Sequence, residues 1–107
     1  MKRGDIVTVS LQGDRGKPRP ALVIQTDLVL THPPDVVLSM TSTLAAARWL
    51  RVTVEPETET GLRLISQIMI DKPRTVQRER LGSAIGRVND DIRMRVSRAL
   101  VVWLGLA

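Results

Sequence analysis

The segment Ala21-Leu22-Val23-Ile24 is an almost uninterrupted apolar run opened by Pro20, and it constrains the fold more than any other stretch of the chain. A run with no polar face suits a strand at the centre of a sheet, covered on both sides. Proline biases the residue before it toward extended backbone, so Arg19 opens this strand and its side chain projects at the sheet edge.

Weaker strand signals surround it. In Asp5 to Leu11, Val7, Val9 and Leu11 share one face and Thr8 and Ser10 the other, the pattern of a half-buried strand. The charged, glycine-containing stretch 12–18 reads as an exposed loop leading to Arg19, and Thr26 to Asp35 as a second. Val36 to Thr41 is a buried strand with Thr41, Ser42 and Thr43 at its exit. Leu44 to Arg48 suits a helical turn, and the alternation of Leu50 to Val54 points Arg51 and Thr53 away from the core. After an acidic turn at 55–59, Leu62 to Ile70 returns as a long strand that Asp71-Lys72-Pro73-Arg74 breaks, and Ser83 to Val88 supplies the last one.

Asn89-Asp90-Asp91 combines a good N-cap with carboxylates that complement the helix dipole. Ile92, Val96, Ala99, Leu100 and Trp103 then recur at helical spacing. The sum is an α+β, mainly β domain over 1–107: a partly open, barrel-like set of antiparallel strands closed by a C-terminal helix.

Composition narrows the chemistry. The chain of 107 residues has no cysteine and one histidine, His32, whose neighbours suggest neither a ligand set nor a general base. Thiolate metal sites and serine–histidine catalysis are therefore disfavoured, and no metal or cofactor is expected. No stretch is apolar enough to span a bilayer, and the opening Met1-Lys2-Arg3-Gly4-Asp5 lacks the apolar region of a signal peptide, so the expected compartment is the cytoplasm. Sixteen basic against eleven acidic residues give a net charge of +5, which favours a polyanionic partner, with nucleic acid first.

The Gly-rich phosphate loop, the Gly-x-Ser-x-Gly elbow and the His-Glu-x-x-His pair are all missing. What remains is arginine, hydroxyl and carboxylate. These suffice to cut RNA, whose own 2′-hydroxyl is the nucleophile: the protein has only to align it, move protons and stabilise charge on phosphorus.

Lys2-Arg3-Gly4-Asp5-Ile6, Arg19-Pro20-Ala21-Leu22-Val23-Ile24-Gln25, Thr41-Ser42, Gln67-Ile68 and Asp71-Lys72-Pro73-Arg74-Thr75 occur in this order along nearly the whole chain. In this combination the sequence resembles the MazF/PemK family of type II toxins. The resemblance implies an SH3-like barrel with a C-terminal helix, usually a homodimer. It also implies a sequence-selective endoribonuclease that leaves 2′,3′-cyclic phosphate and 5′-hydroxyl ends and is silenced by a MazE-like antitoxin with an acidic C-terminal segment.

By position, Arg19 matches the family's catalytic arginine, Thr41 the threonine that accompanies it, and Asp71 a carboxylate assigned to general-base work. Ser42 matches a serine beside that threonine, and Lys17, Arg51, Gln67 and Arg74 are the other candidate RNA contacts. Two residues before that carboxylate, relatives carry a cation; this chain has Met69. Apolar Val101, Val102 and Leu104 beside the helix's core stripe fit the implied dimer. Trp49, next to Leu50, reads as core, and Trp103 as core or dimer contact. The alternatives within the same architecture are a CcdB-like gyrase poison, whose aromatic tail Trp103-Leu104-Gly105-Leu106-Ala107 resembles, and an RNA-binding domain that does not cut.

Overall fold

A computed structural model describes residues 2–10, 17–29 and 34–106. Six strands form a sheet: β1 (Asp5–Val9), β2 (Arg19–Val23), β3 (Asp35–Thr41), β4 (Arg51–Val54), β5 (Ser66–Val76) and β6 (Leu81–Arg87). One helix, α1 (Asp90–Trp103), follows. The order across the sheet is β4-β5-β3-β2-β1-β6 and every pairing is antiparallel, so the sheet is open, with β4 and β6 at its edges. The expected mainly-β, α+β architecture is present. Leu11 and His32, together with most of the first loop and part of the second, lie outside the described residues.

The sheet is apolar on both faces. On one, Ile6, Leu22, Leu38, Met40, Val52, Val54, Ile68 and Ile70 pack with Val96, Ala99 and Leu100 of α1. On the other, Val7, Val9, Ala21, Val23, Val37 and Val76 form a second cluster. β1 is therefore not the half-buried strand that its alternation suggested: Ile6 and Val7 are adjacent and both fully buried, one in each cluster. Fully burying such a side chain is worth about 1.5–3 kcal/mol, so two-sided burial of the central strands is the main source of cohesion.

The helix begins as expected, with the Asn89 side chain accepting a hydrogen bond from the Ile92 N–H at 2.8 Å. Trp49 departs from its expected place in the core. It and Trp103 are both nearly half exposed, with ring centroids 6.4 Å apart.

Two element boundaries differ from expectation for definable reasons. The Asp71-Lys72-Pro73-Arg74 segment does not break the strand: β5 runs through it, and Pro73 pairs with Leu38. β4 pairs only with Ser66 to Met69, so β5 beyond that point is an edge strand, where the N–H that proline lacks is not missed by a neighbour. No helical turn forms at Leu44 to Arg48. The Gln67 side chain takes up both backbone groups of Ala45, accepting from its N–H at 2.9 Å and donating to its carbonyl at 3.1 Å. The only turn in this stretch is a short 3₁₀ one at Arg48–Leu50.

The turn before β5 is locked onto β6. The buried Thr60 hydroxyl donates toward the Glu55 carbonyl at 2.9 Å and accepts from the Glu57 N–H at 3.0 Å, while the Arg87 N–H donates to the Glu59 carbonyl at 2.8 Å. Gly61 has φ +69, and a Cβ at Gly61 or Gly86 would collide with the backbone opposite, so both glycines are required by close approach.

Candidate active site

The β2–β3 ladder pairs Ala21 with Ser39 and Val23 with Val37, and β1–β2 pairs Val9 with Arg19. Directly opposed residues point to the same side, so Arg19, Ser39 and Thr41 share the sheet face of the second apolar cluster, away from α1. Arg19 stands at the start of β2 and Thr41 at the end of β3, so both reach the same rim of that face.

β5 contributes the rest through an irregularity. Ile68 pairs with Met40 and Pro73 with Leu38, so β5 inserts residues 69–72 where β3 has only Ser39. Bulges re-aim side chains and bend the strand that carries them. Here the bulge shifts the alternation, so that Met69 and Asp71 within it and Arg74 and Val76 after it all line one cleft.

That cleft has a volume of about 560 Å³, within the usual range of ligand-binding clefts. Its floor is Val9, Ala21, Val37 and Val76, and its rim holds Arg19, Ser39, Thr41, Met69, Asp71, Lys72 and Arg74. Among the described residues that line it, Arg19, Lys72 and Arg74 stand against the one carboxylate of Asp71, so the cleft is cationic. The Lys72 ammonium lies 3.9 Å from Asp71. Thr41 Oγ1 accepts from the Thr43 N–H at 3.0 Å, an orientation that directs the hydroxyl's own hydrogen elsewhere.

Sequence reasoning placed Arg19, Thr41, Asp71 and Arg74 in a common site, and the structure brings these four together. Lys17 and Ser42 are exposed and do not line the cleft, although Ser42 follows Thr41 directly and Lys17 lies two residues before Arg19. Arg51 and Gln67 do not line the cleft. Gln67 is buried and holds Ala45, and Arg51 donates to Gln67 Oε1 at 3.3 Å and toward the Thr43 carbonyl at 3.4 Å, so the pair fastens the segment that leaves Thr41. Ser39 and Lys72 are additional rim residues. Ser39 was legible in the alternation Val37-Ser39-Thr41, a polar residue on the cleft side of a buried strand, whereas Lys72 depends on the bulge. Among the described residues no group of three or more His, Cys, Asp or Glu side chains is arranged to hold a metal ion, and no helix is long and apolar enough to cross a membrane.

An open antiparallel sheet with one C-terminal helix and a cationic, hydroxyl-bearing cleft on its far face defines a small β-protein equipped to hold a polyanion. The family model for the PemK-like, MazF-like toxin of type II toxin–antitoxin systems matches residues 2–104, and the chain belongs to that family. It is 42% identical to the probable endoribonuclease MazF of Mycolicibacterium smegmatis, over all of this chain and 99% of that protein. It is also 30% identical to endoribonuclease EndoA of Bacillus subtilis, with 99% and 96% covered. In fold it is similar to a mycobacterial endoribonuclease solved in complex with its cognate antitoxin, at a TM-score of 0.81 and 21% identity, covering 100% of this chain and 97% of that one.

Proposed function

We propose that this chain is the toxin of a type II toxin–antitoxin pair, acting over 1–107 as one domain that cleaves single-stranded RNA in the cytoplasm without a metal ion. The observation that carries this reading is the convergence of Arg19, Thr41 and Asp71, from three different strands, on one cationic cleft in a member of the MazF-like family.

In the proposed reaction Asp71 takes the proton of the 2′-hydroxyl, and the freed oxygen attacks the adjacent phosphorus. The new O2′–P bond forms as the P–O5′ bond breaks, giving a 2′,3′-cyclic phosphate and a 5′-hydroxyl. Arg19 donates two hydrogen bonds to the phosphoryl oxygens as charge builds there, and Thr41 adds a third donor. The leaving 5′-oxygen takes its proton from water, which reaches the open cleft; an arginine surrenders a proton too reluctantly to serve. Arg74, Lys17 and Ser42 contact the flanking backbone, and Arg51 and Gln67 act by holding the segment after Thr41 in place.

A MazE-like antitoxin with an acidic C-terminal segment complements the +5 charge and would cover the cleft. The exposed Trp49, Val102, Trp103 and Leu104 form an apolar surface suited to a homodimer, which sedimentation at micromolar concentration would detect. The deciding experiment is incubation of the purified protein with a long mixed-sequence RNA in EDTA. Discrete fragments with 2′,3′-cyclic phosphate ends, absent for Arg19→Ala, are expected; intact RNA would overturn the reading.

A further inference from the structure

Met69 lines the cleft yet belongs to neither hydrophobic cluster, although its neighbours Ile68 and Ile70 are completely buried in the core beneath α1. It is partly exposed, with Arg51 as its ladder partner on β4. Core packing therefore does not account for a long apolar side chain at this position. Nor does phosphate binding, because a thioether carries no charge and Arg19, Lys72 and Arg74 already supply cations to the same cleft.

Single-stranded RNA offers one group that suits such a side chain: the flat face of an unstacked base. Proteins usually meet it with an aromatic ring or a guanidinium plane. This chain has no Phe or Tyr, and neither tryptophan lines the cleft; the two tryptophans pair with each other at the C-terminal end of α1. Methionine is the soft, polarisable substitute, able to shape itself to a ring and to make favourable sulfur–aromatic contacts.

We propose that Met69 contacts the base of a nucleotide adjoining the scissile phosphate and sets the base preference at that position. It is a specificity-determining residue that rests on the ribonuclease reading above. Because the thioether reads shape and stacking and offers no donor, the preference it imposes is graded rather than absolute.

The test is cut-site mapping on a defined RNA that presents every base around the cut, with wild type, Met69→Leu, Met69→Gln and Met69→Ala, each checked for folding by thermal melt. Leucine should keep the wild-type ranking. Glutamine, of similar length but polar, and alanine should flatten or reorder the preference at a single position beside the cut by between about two- and tenfold, leaving the other positions unchanged. An unaltered ranking in folded Gln and Ala variants, or a loss of cutting equal at every site, would overturn the assignment. RNA left whole by the wild type would overturn the ribonuclease reading itself, an outcome distinct from cut RNA with unchanged preference.

Discussion

Ala21 and Ser39 stand opposite one another in the β2–β3 ladder, and this one pairing sets Arg19 and Thr41, each two residues further toward the same rim, on a common face. Two groups far apart in sequence are thus brought to one rim because a short ladder of backbone hydrogen bonds fixes their spacing. The same face carries the floor residues Val9 and Val37, so the site has a buried, rigid base.

Arg19 should be the most sensitive position. Removing a preorganised donor to a developing oxyanion commonly costs two to three orders of magnitude, so Arg19→Ala should lower cleavage by at least about a hundredfold. Arg19→Lys keeps the charge but loses the paired donors, and should remain at least about tenfold below wild type. Single-turnover rates on a short cleavable RNA measure both; a lysine variant as fast as wild type would show that charge alone suffices.

Thr41 is expected to act through its hydroxyl. A hydrogen bond to a charged group is worth about 1.5–3 kcal/mol, so Thr41→Ala should slow cleavage between about ten- and a hundredfold, and Thr41→Ser should restore most of it. Serine keeps both the acceptor for the Thr43 N–H at 3.0 Å and the donor to the substrate, so its failure to rescue would assign the loss to the threonine methyl rather than to the hydroxyl.

Arg74 and Arg51 should separate by salt dependence. Each phosphate contact to single-stranded RNA contributes about 0.7 to the slope of log affinity against log salt. Arg74→Ala should reduce that slope by about this amount. Arg51→Ala, which instead loosens Gln67 and the segment after Thr41, should leave it nearly unchanged. Binding of a non-cleavable 2′-deoxy oligonucleotide over a range of salt concentrations reads the difference.

Gly86→Ala should destabilise the fold, since its Cβ would collide with the Thr60 carbonyl group. A cost of about 2 kcal/mol or more, lowering Tm by roughly 10 °C, follows from the clash of two backbones that have no room to separate. Gly105 has open space around it, and Gly105→Ala should cost only about 1 kcal/mol, from its φ of +71. Equal melting temperatures for the two variants would contradict the interlock of the turn with β6.

Local rules determined much of this protein directly from the chain. The apolar run at Ala21 to Ile24, the alternation around Arg51 and the cap at Asn89 each depend on neighbours within a few residues, so period and propensity suffice to read them. That Arg19 and Thr41 stand at strand ends was legible for the same reason, whereas their candidacy for one site came from the family resemblance, since a strand-end arginine or threonine alone reads as a surface charge or a turn cap. Only the tertiary structure decided the rest. Whether Pro73 interrupts a strand depends on whether anything pairs with its outer edge, and β4 ends before it does. Whether residues 44–48 coil depends on a glutamine far along the chain that claims both backbone groups of Ala45. Asp71 and Arg74 meet in one cleft because β5 inserts residues 69–72 against Ser39, a change of register that neither strand specifies alone. Alternation assigns a side chain to a face only while register is kept, and where two strands of unequal length must match, the packing of the whole sheet decides where the surplus residues go.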